Sequence, residues 1–210
     1  MEDLRKTFAG KLLGIKAIKL QPNDPFTWAS GWKSPFYCDN RKTLSYHDVR
    51  SFVKLELVHA ILANFPEATA VAGVATGAIA QGMLVADELA LPYAYVRPKP
   101  KDHGMKNQIE GELPVGSKVV VVEDLISTGG SSLKAVAALR EAGFEVVGMV
   151  ASYTYGFPVA EEAFREAHVK LVTLTDYEHV VEKALETGYI KEDEVAMLHD
   201  WRKDPANWRK

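Results

Sequence analysis

Residues Lys118 to Ser132 read KVVVVEDLISTGGSS, and this stretch constrains the chain more than any other. Four consecutive valines form a short β-branched run that predicts a strand over Lys118–Val122, buried on both faces. Glu123 and Asp124 close the run. Ser127, Thr128, Gly129, Gly130, Ser131 and Ser132 then supply hydroxyls and backbone freedom. Beyond them, Leu133, Val136, Ala137 and Leu139 fall at helical spacing, and Gly143 stands where a helix ends. A loop of this composition at a helix N-terminus offers backbone N–H groups and hydroxyls to an anion. Two acids just before it repel that anion. They suit the hydroxyls of a sugar, or a cation, beside a phosphate. The combination points to a phosphorylated sugar. An acid followed by Gly-Gly, taken alone, is more often structural, with the acid capping a helix. The chain contains neither G-x-x-x-x-G-K-[ST] nor G-x-G-x-x-G, which argues against a Walker loop and a dinucleotide fingerprint.

The rest of the chain alternates in a way that fits a two-sided sheet. Helices are predicted over 1–13, 46–63, 78–89, 131–142, 159–167 and 177–186. Strands are predicted over 15–20, 70–74, 93–96, 118–122, 145–153 and 170–174. Strands alternating with helices imply βαβ units and a mostly parallel sheet, hence an α/β fold. Ligands of such folds collect beyond the carboxyl ends of the strands, where Glu123, Asp124 and the Gly73 to Gly77 turn fall. The length, 210 residues, suits one domain. Residues 21–41, rich in aromatics and turn formers, suit a small N-terminal hood spanning about 1–45.

Three further segments carry chemistry. The Gly73 to Gly77 turn, with Thr76 inside it, either holds a second phosphate group or uses its glycines for strand-to-helix geometry. Residues 97–112 read RPKPKDHGMKNQIEGE. Arg97, Lys99, Lys101 and His103 share one side of an extended backbone, and Pro98 and Pro100 favour that extension. A charge run is usually a solvated loop. Its position between two sheet strands favours a mobile lid, whose cations would face a departing diphosphate. In the segment from Phe26 to Arg41, Phe36 and Tyr37 are candidates for packing on a planar base, and equally for the core of a small hood.

Four features in order resemble the orotate phosphoribosyltransferases, a family of type I phosphoribosyltransferases, over most of the chain. They are the T-x-x-S-G-x-x-S-P-x-Y-x-D-x-R string at Thr27–Arg41, the Gly73 turn, the K-D-H-G and I-E-G elements of the lid, and EDLISTGGSS. The resemblance implies a type I phosphoribosyltransferase fold with an N-terminal hood, acting on phosphoribosyl diphosphate and orotate. It implies Mg²⁺ held mainly by diphosphate and ribose oxygens. It implies a homodimer in which the lid reaches the neighbouring site. Carried over residue by residue, Glu123 and Asp124 hold the ribose hydroxyls, and Leu125, Ile126, Ser127, Thr128, Gly129, Gly130 and Ser131 wrap the 5′-phosphate. Ser127 also touches the base. Arg97, Lys101 and His103 contact the diphosphate. Lys101, His103 and Asp124 are the residues assigned to catalysis. The chain departs from the family at Pro98, where a basic residue is common and Lys99 is the nearest substitute. It departs again at Ala75 and Thr76, where some members carry Tyr-Lys.

Composition narrows the classes. Net charge is −3, and no basic face or added DNA-binding domain accompanies the modestly basic end at Arg202, Lys203, Arg209 and Lys210, so nucleic acid is not an expected partner. The alternatives are a transferase for another purine or pyrimidine base, or a nucleotide-sensing regulator on the same fold. Cys38 is the single cysteine, which excludes an intrachain disulfide. Residues 1–6 lack the apolar core of a signal peptide, and no run is long enough to span a membrane, so a cytoplasmic protein is expected.

Overall fold

The structure is a computed structural model that describes residues 3–27, 33–99 and 108–209. The chain divides into two compact units. One combines Met1–Thr43 with Thr175–Lys210, and the other is Leu44–Leu174. In chain order the elements are α1 (Leu4–Gly14), β1 (Ile18–Leu20), β2 (Phe26–Thr27), β3 (Lys33–Ser34), β4 (Phe36–Cys38), α2 (His47–Asn64), β5 (Ala70–Val74), α3 (Ile79–Leu89) and β6 (Tyr93–Val96). These are followed by β7 (Ile109–Glu110), β8 (Lys118–Ile126), α4 (Gly130–Glu141), β9 (Glu145–Thr154), α5 (Pro158–Glu166), β10 (Leu171–Asp176), α6 (Tyr177–Glu186) and α7 (Glu192–Lys203). Among the described residues, no helix is long and apolar enough to cross a membrane.

The central unit carries a six-stranded sheet in the order β10-β9-β8-β5-β6-β7. The β5–β6, β5–β8 and β8–β9 pairs are parallel, and β6–β7 is antiparallel. The valines from Val119 to Val122 are completely buried, as their β-branched run predicts. Alternation sends Val119 and Val121 to the face where Ala135, Val136 and Leu139 of α4 pack, with Phe164 of α5. Helices α2 and α3 cover the opposite face, where glycines permit close approach. A Cβ on Gly73 of β5 would meet the Tyr93 hydroxyl at 2.5 Å and the Ala78 carbonyl at 2.8 Å. That hydroxyl donates to the Ile79 carbonyl at 2.7 Å, so Gly73 lets Tyr93 brace the start of α3.

The strand edge opposite β10 was not visible in the sequence pattern. β7 is only two residues long, below the length at which alternation can be read, and it closes the sheet by pairing Val96 with Ile109 and Tyr95 with Glu110. Gly111 follows with φ +101°, and a Cβ there would meet the Tyr93 carbonyl at 2.9 Å, which explains the I-E-G glycine.

The other unit is built from both ends of the chain. β1 pairs antiparallel with β4, and β2 with β3. Phe36 of β4 is fully buried, with its ring stacked parallel to Trp201 of α7 at 6.4 Å and tilted against Tyr177 of α6 at 5.3 Å. The Tyr177 hydroxyl donates to the Leu198 carbonyl. Ion pairs tie α1 to the later segment: Arg5 to Asp176 at 2.6 Å, and Lys6 to Glu182 and Glu186 at 3.2 and 2.6 Å. Helix α7 lay outside the sequence expectations. Its start is marked by Glu194, whose carboxylate accepts the Lys191 N–H at 2.9 Å. Its inner face reduces to Leu198 and Trp201 among its buried residues, too sparse a pattern to stand out.

Gly148 of β9 tests the packing of the sheet. A Cβ there would lie 2.2 Å from the Phe65 ring and 3.0 Å from the Lys170 carbonyl. Gly148→Ala is expected to cost about 1–3 kcal/mol through overpacking, read as a lower urea midpoint at unchanged m value.

Candidate active site

Strand β8 runs further than its valines. Its last pair with β5 is Val122 with Gly73, but it stays paired with β9 through Glu123–Ala151, Leu125–Tyr153 and Ile126–Thr154. The strand expected over 118–122 therefore extends to Ile126, because β9 continues to offer partners after β5 has turned away. Both acids lie on this overhang, beyond the carboxyl end of β5.

Glu123 turns toward α4. It is 4% exposed, and both carboxyl oxygens are engaged: Oε1 accepts the Asp124 backbone N–H at 2.9 Å, and Oε2 accepts the Ser132 hydroxyl at 2.8 Å. Burial, reinforced by the neighbouring Asp124 carboxyl, pushes its pKa up to about 8. The Ser132 hydroxyl and the Asp124 N–H oppose that rise. Glu123, expected to hold a sugar diol, thus has each oxygen engaged by one protein donor. Asp124 is partly exposed, and its carboxyl lies beside that of Glu123 and against Gly77. A Cβ on Gly77 would sit 2.1 Å from Asp124 Oδ2, so this glycine leaves room for the carboxylate. The turn between β5 and α3 also holds a cis peptide between Ala75 and Thr76, and Thr76 is exposed. The Ala75 N–H donates to the Val96 carbonyl at 2.9 Å, which seats this turn beside the end of β6.

After Ile126 the chain bends into α4. Ser127 is half-buried, and Thr128, Gly130 and Ser131 are exposed. Gly129 is buried with φ +80°, and an added Cβ would meet the Phe164 ring at 2.8 Å, so both conformation and space require glycine. The first N–H groups of a helix have no partner within it and point outward, so the turn entering α4 presents donors to an anion. Leu125 is half-buried. Ile126, expected within the phosphate-wrapping segment, has its side chain in the apolar core, and its carbonyl accepts the Tyr155 N–H at 3.0 Å.

The 97–112 segment leaves and returns through the β6–β7 pair. The Arg97 N–H donates to the Gln108 carbonyl, and Gln108 Nε2 donates to the Arg97 carbonyl, both at 2.8 Å. The Arg97 guanidinium faces Glu110, Nη1 to Oε1 3.7 Å. Lys99 is exposed. Lys101 and His103 lie outside the described residues. Phe36 is corrected as a base-packing candidate, because it has no exposed surface and serves an aromatic core. Tyr37 is 38% exposed, with its ring 5.5 Å from that of Phe26.

Sequence reasoning missed Ser132 and the stem residues Gln108 and Glu110. A signal for Ser132 existed: an acid at the end of an apolar strand needs a donor, and a serine one turn into the following helix supplies one. Among the described residues, no group of three or more His, Cys, Asp or Glu is placed to hold a metal ion.

The raised pKa of Glu123 has a stability consequence. Between its ordinary 4.5 and about 8, the unfolded chain loses this proton while the folded chain keeps it. The unfolded state then binds fewer protons, and stability falls as pH rises through that window. Glu123→Gln is expected to flatten this part of the stability profile, measured by urea unfolding across the same pH range.

The chain matches the model of the phosphoribosyl transferase domain over residues 56–187. It is 70% identical to an orotate phosphoribosyltransferase of Bacteroides thetaiotaomicron, covering 99% of this chain and 98% of that one. It is 64% identical to that of Porphyromonas gingivalis, covering 99% of each. The crystal structure of orotate phosphoribosyltransferase from Aeropyrum pernix superposes with a TM-score of 0.76 at 30% identity, covering 88% of this chain and 99% of that one. The domain match over residues 56–187, with relatives up to 70% identical along nearly the whole length, places the chain in the phosphoribosyl transferase family, among the orotate phosphoribosyltransferases.

Proposed function

We propose that this chain transfers ribose 5-phosphate from phosphoribosyl diphosphate to orotate, forming orotidine 5′-phosphate and pyrophosphate in pyrimidine nucleotide synthesis. The observation that carries the reading is the continuous run of strand overhang, Asp124, anion loop and helix α4. In this reading Asp124 accepts hydrogen bonds from the ribose hydroxyls. The backbone and hydroxyls of Ser127, Thr128, Gly129, Gly130 and Ser131 wrap the 5′-phosphate.

The reaction breaks the bond from the anomeric carbon to the diphosphate oxygen and forms one to a ring nitrogen of orotate. Positive charge builds on the sugar ring and negative charge on the leaving oxygens. Orotate is already an anion, so its nitrogen needs little basic help. The protein's share is positioning, charge stabilisation and exclusion of water. Arg97, Lys99, Lys101 and His103 supply the cations for the leaving diphosphate, with Lys101 and His103 assigned by family resemblance. By the same resemblance Mg²⁺ would be carried mainly by diphosphate and ribose oxygens, where it would neutralise the leaving group. The same resemblance supports a cytoplasmic homodimer whose 97–112 segment serves the neighbouring copy's site.

Pyrophosphate release, measured with phosphoribosyl diphosphate, Mg²⁺ and a panel of purine and pyrimidine bases, tests the reading. Orotate is expected to be the preferred acceptor; a purine base turned over faster would overturn it. Gly77→Ala probes the placement of Asp124. Gly77 is not among the glycines with positive φ, so its backbone accepts a side chain, and the added methyl acts by displacing the carboxylate. A loss of about 10²-fold in kcat/KM is expected, with the thermal midpoint checked alongside.

A further inference from the structure

Glu123 and Ser132 are both nearly inaccessible, at 4% and 1% exposure, yet they join two elements that the reaction needs in fixed register. Ser132 is the third residue of α4, in the turn whose preceding loop wraps the 5′-phosphate. Glu123 adjoins Asp124 and receives its backbone N–H. The Ser132 hydroxyl to Glu123 Oε2 contact, 2.8 Å, is therefore a side-chain bridge from the phosphate-binding turn to the sugar-binding acid. The register partner of Glu123 on β9 is Ala151, and among the described residues its carboxyl interacts with Asp124 of its own strand and Ser132 of α4.

We infer that Ser132 is a positioning residue: by holding the Glu123 carboxyl, it fixes the first turn of α4 relative to Asp124, so that one donor molecule meets its phosphate and ribose contacts together. The inference rests on the proposed function. A buried acceptor that loses its donor must find another or move. Moving Glu123 drags the Asp124 amide with it, because the same carboxyl accepts that N–H. The effect should therefore reach the ribose site although Ser132 touches no substrate. Ser132 also lowers the pKa of Glu123, so its removal shifts that titration upward.

The test uses Ser132→Ala, Ser132→Cys and Ser132→Thr in the full chain. Cysteine fills the same space with a feeble donor, and threonine keeps the hydroxyl. Calorimetric binding of phosphoribosyl diphosphate with Mg²⁺ is expected to weaken about tenfold in the alanine and cysteine variants and to recover in the threonine variant. The Glu123 carboxyl titration, followed by carbon-13 NMR without ligand, is expected to move to higher pH in the first two and stay in place in the third. If the unmodified protein fails to bind the donor, the functional reading falls, while the titration still reports the Ser132 contact. Wild-type affinity and an unmoved titration in folded Ser132→Ala and Ser132→Cys overturn the inference.

Discussion

The architecture of the site depends on one mismatch in length. β8 continues for four residues after β5 has ended its pairing at Val122, and only β9 accompanies it. Within the valine stretch, alternation sorts side chains between two apolar layers. On the overhang two carboxyls meet: that of Glu123 is buried and accepts the Ser132 hydroxyl of α4, and that of Asp124, beside it, occupies the space that Gly77 leaves.

Glycine does most of the steric shaping around this overhang, and each position has its own reason. Gly129 satisfies a left-handed backbone and the Phe164 ring at once. Gly77 concerns only the space needed by Asp124, and Gly73 the Tyr93 hydroxyl. The Gly73 turn read in the sequence as phosphate-binding or geometric is geometric at Gly73 itself. Tyr93 is held there with its hydroxyl donating to the Ile79 carbonyl, and burial raises its pKa well above the usual phenol range.

Much of this was legible in the sequence, because the signals were local. The tetravaline run, the helical spacing after Ser131 and the alternation of strands and helices each reflect a periodicity that a window of residues contains. The α/β fold followed from them. What escaped notice depended on partners distant in sequence. β7 has too few residues to show a period. Phe36 looked available to a base until Tyr177 and Trp201 closed on it. Glu123 and Asp124 look equivalent as a dipeptide, and only the continuation of pairing with β9 and the arrival of Ser132 from the next helix tell them apart.

The unit formed by Met1–Thr43 and Thr175–Lys210 has an implication for how the molecule is made. During synthesis the N-terminal segment leaves the ribosome long before Tyr177 and Trp201 exist, so Phe36 and its neighbours have no finished core to enter. The Leu44–Leu174 unit, by contrast, emerges with its sheet and covering helices complete in sequence. Vectorial folding then begins in the middle of the chain, and the first-born segment waits for the last-born one.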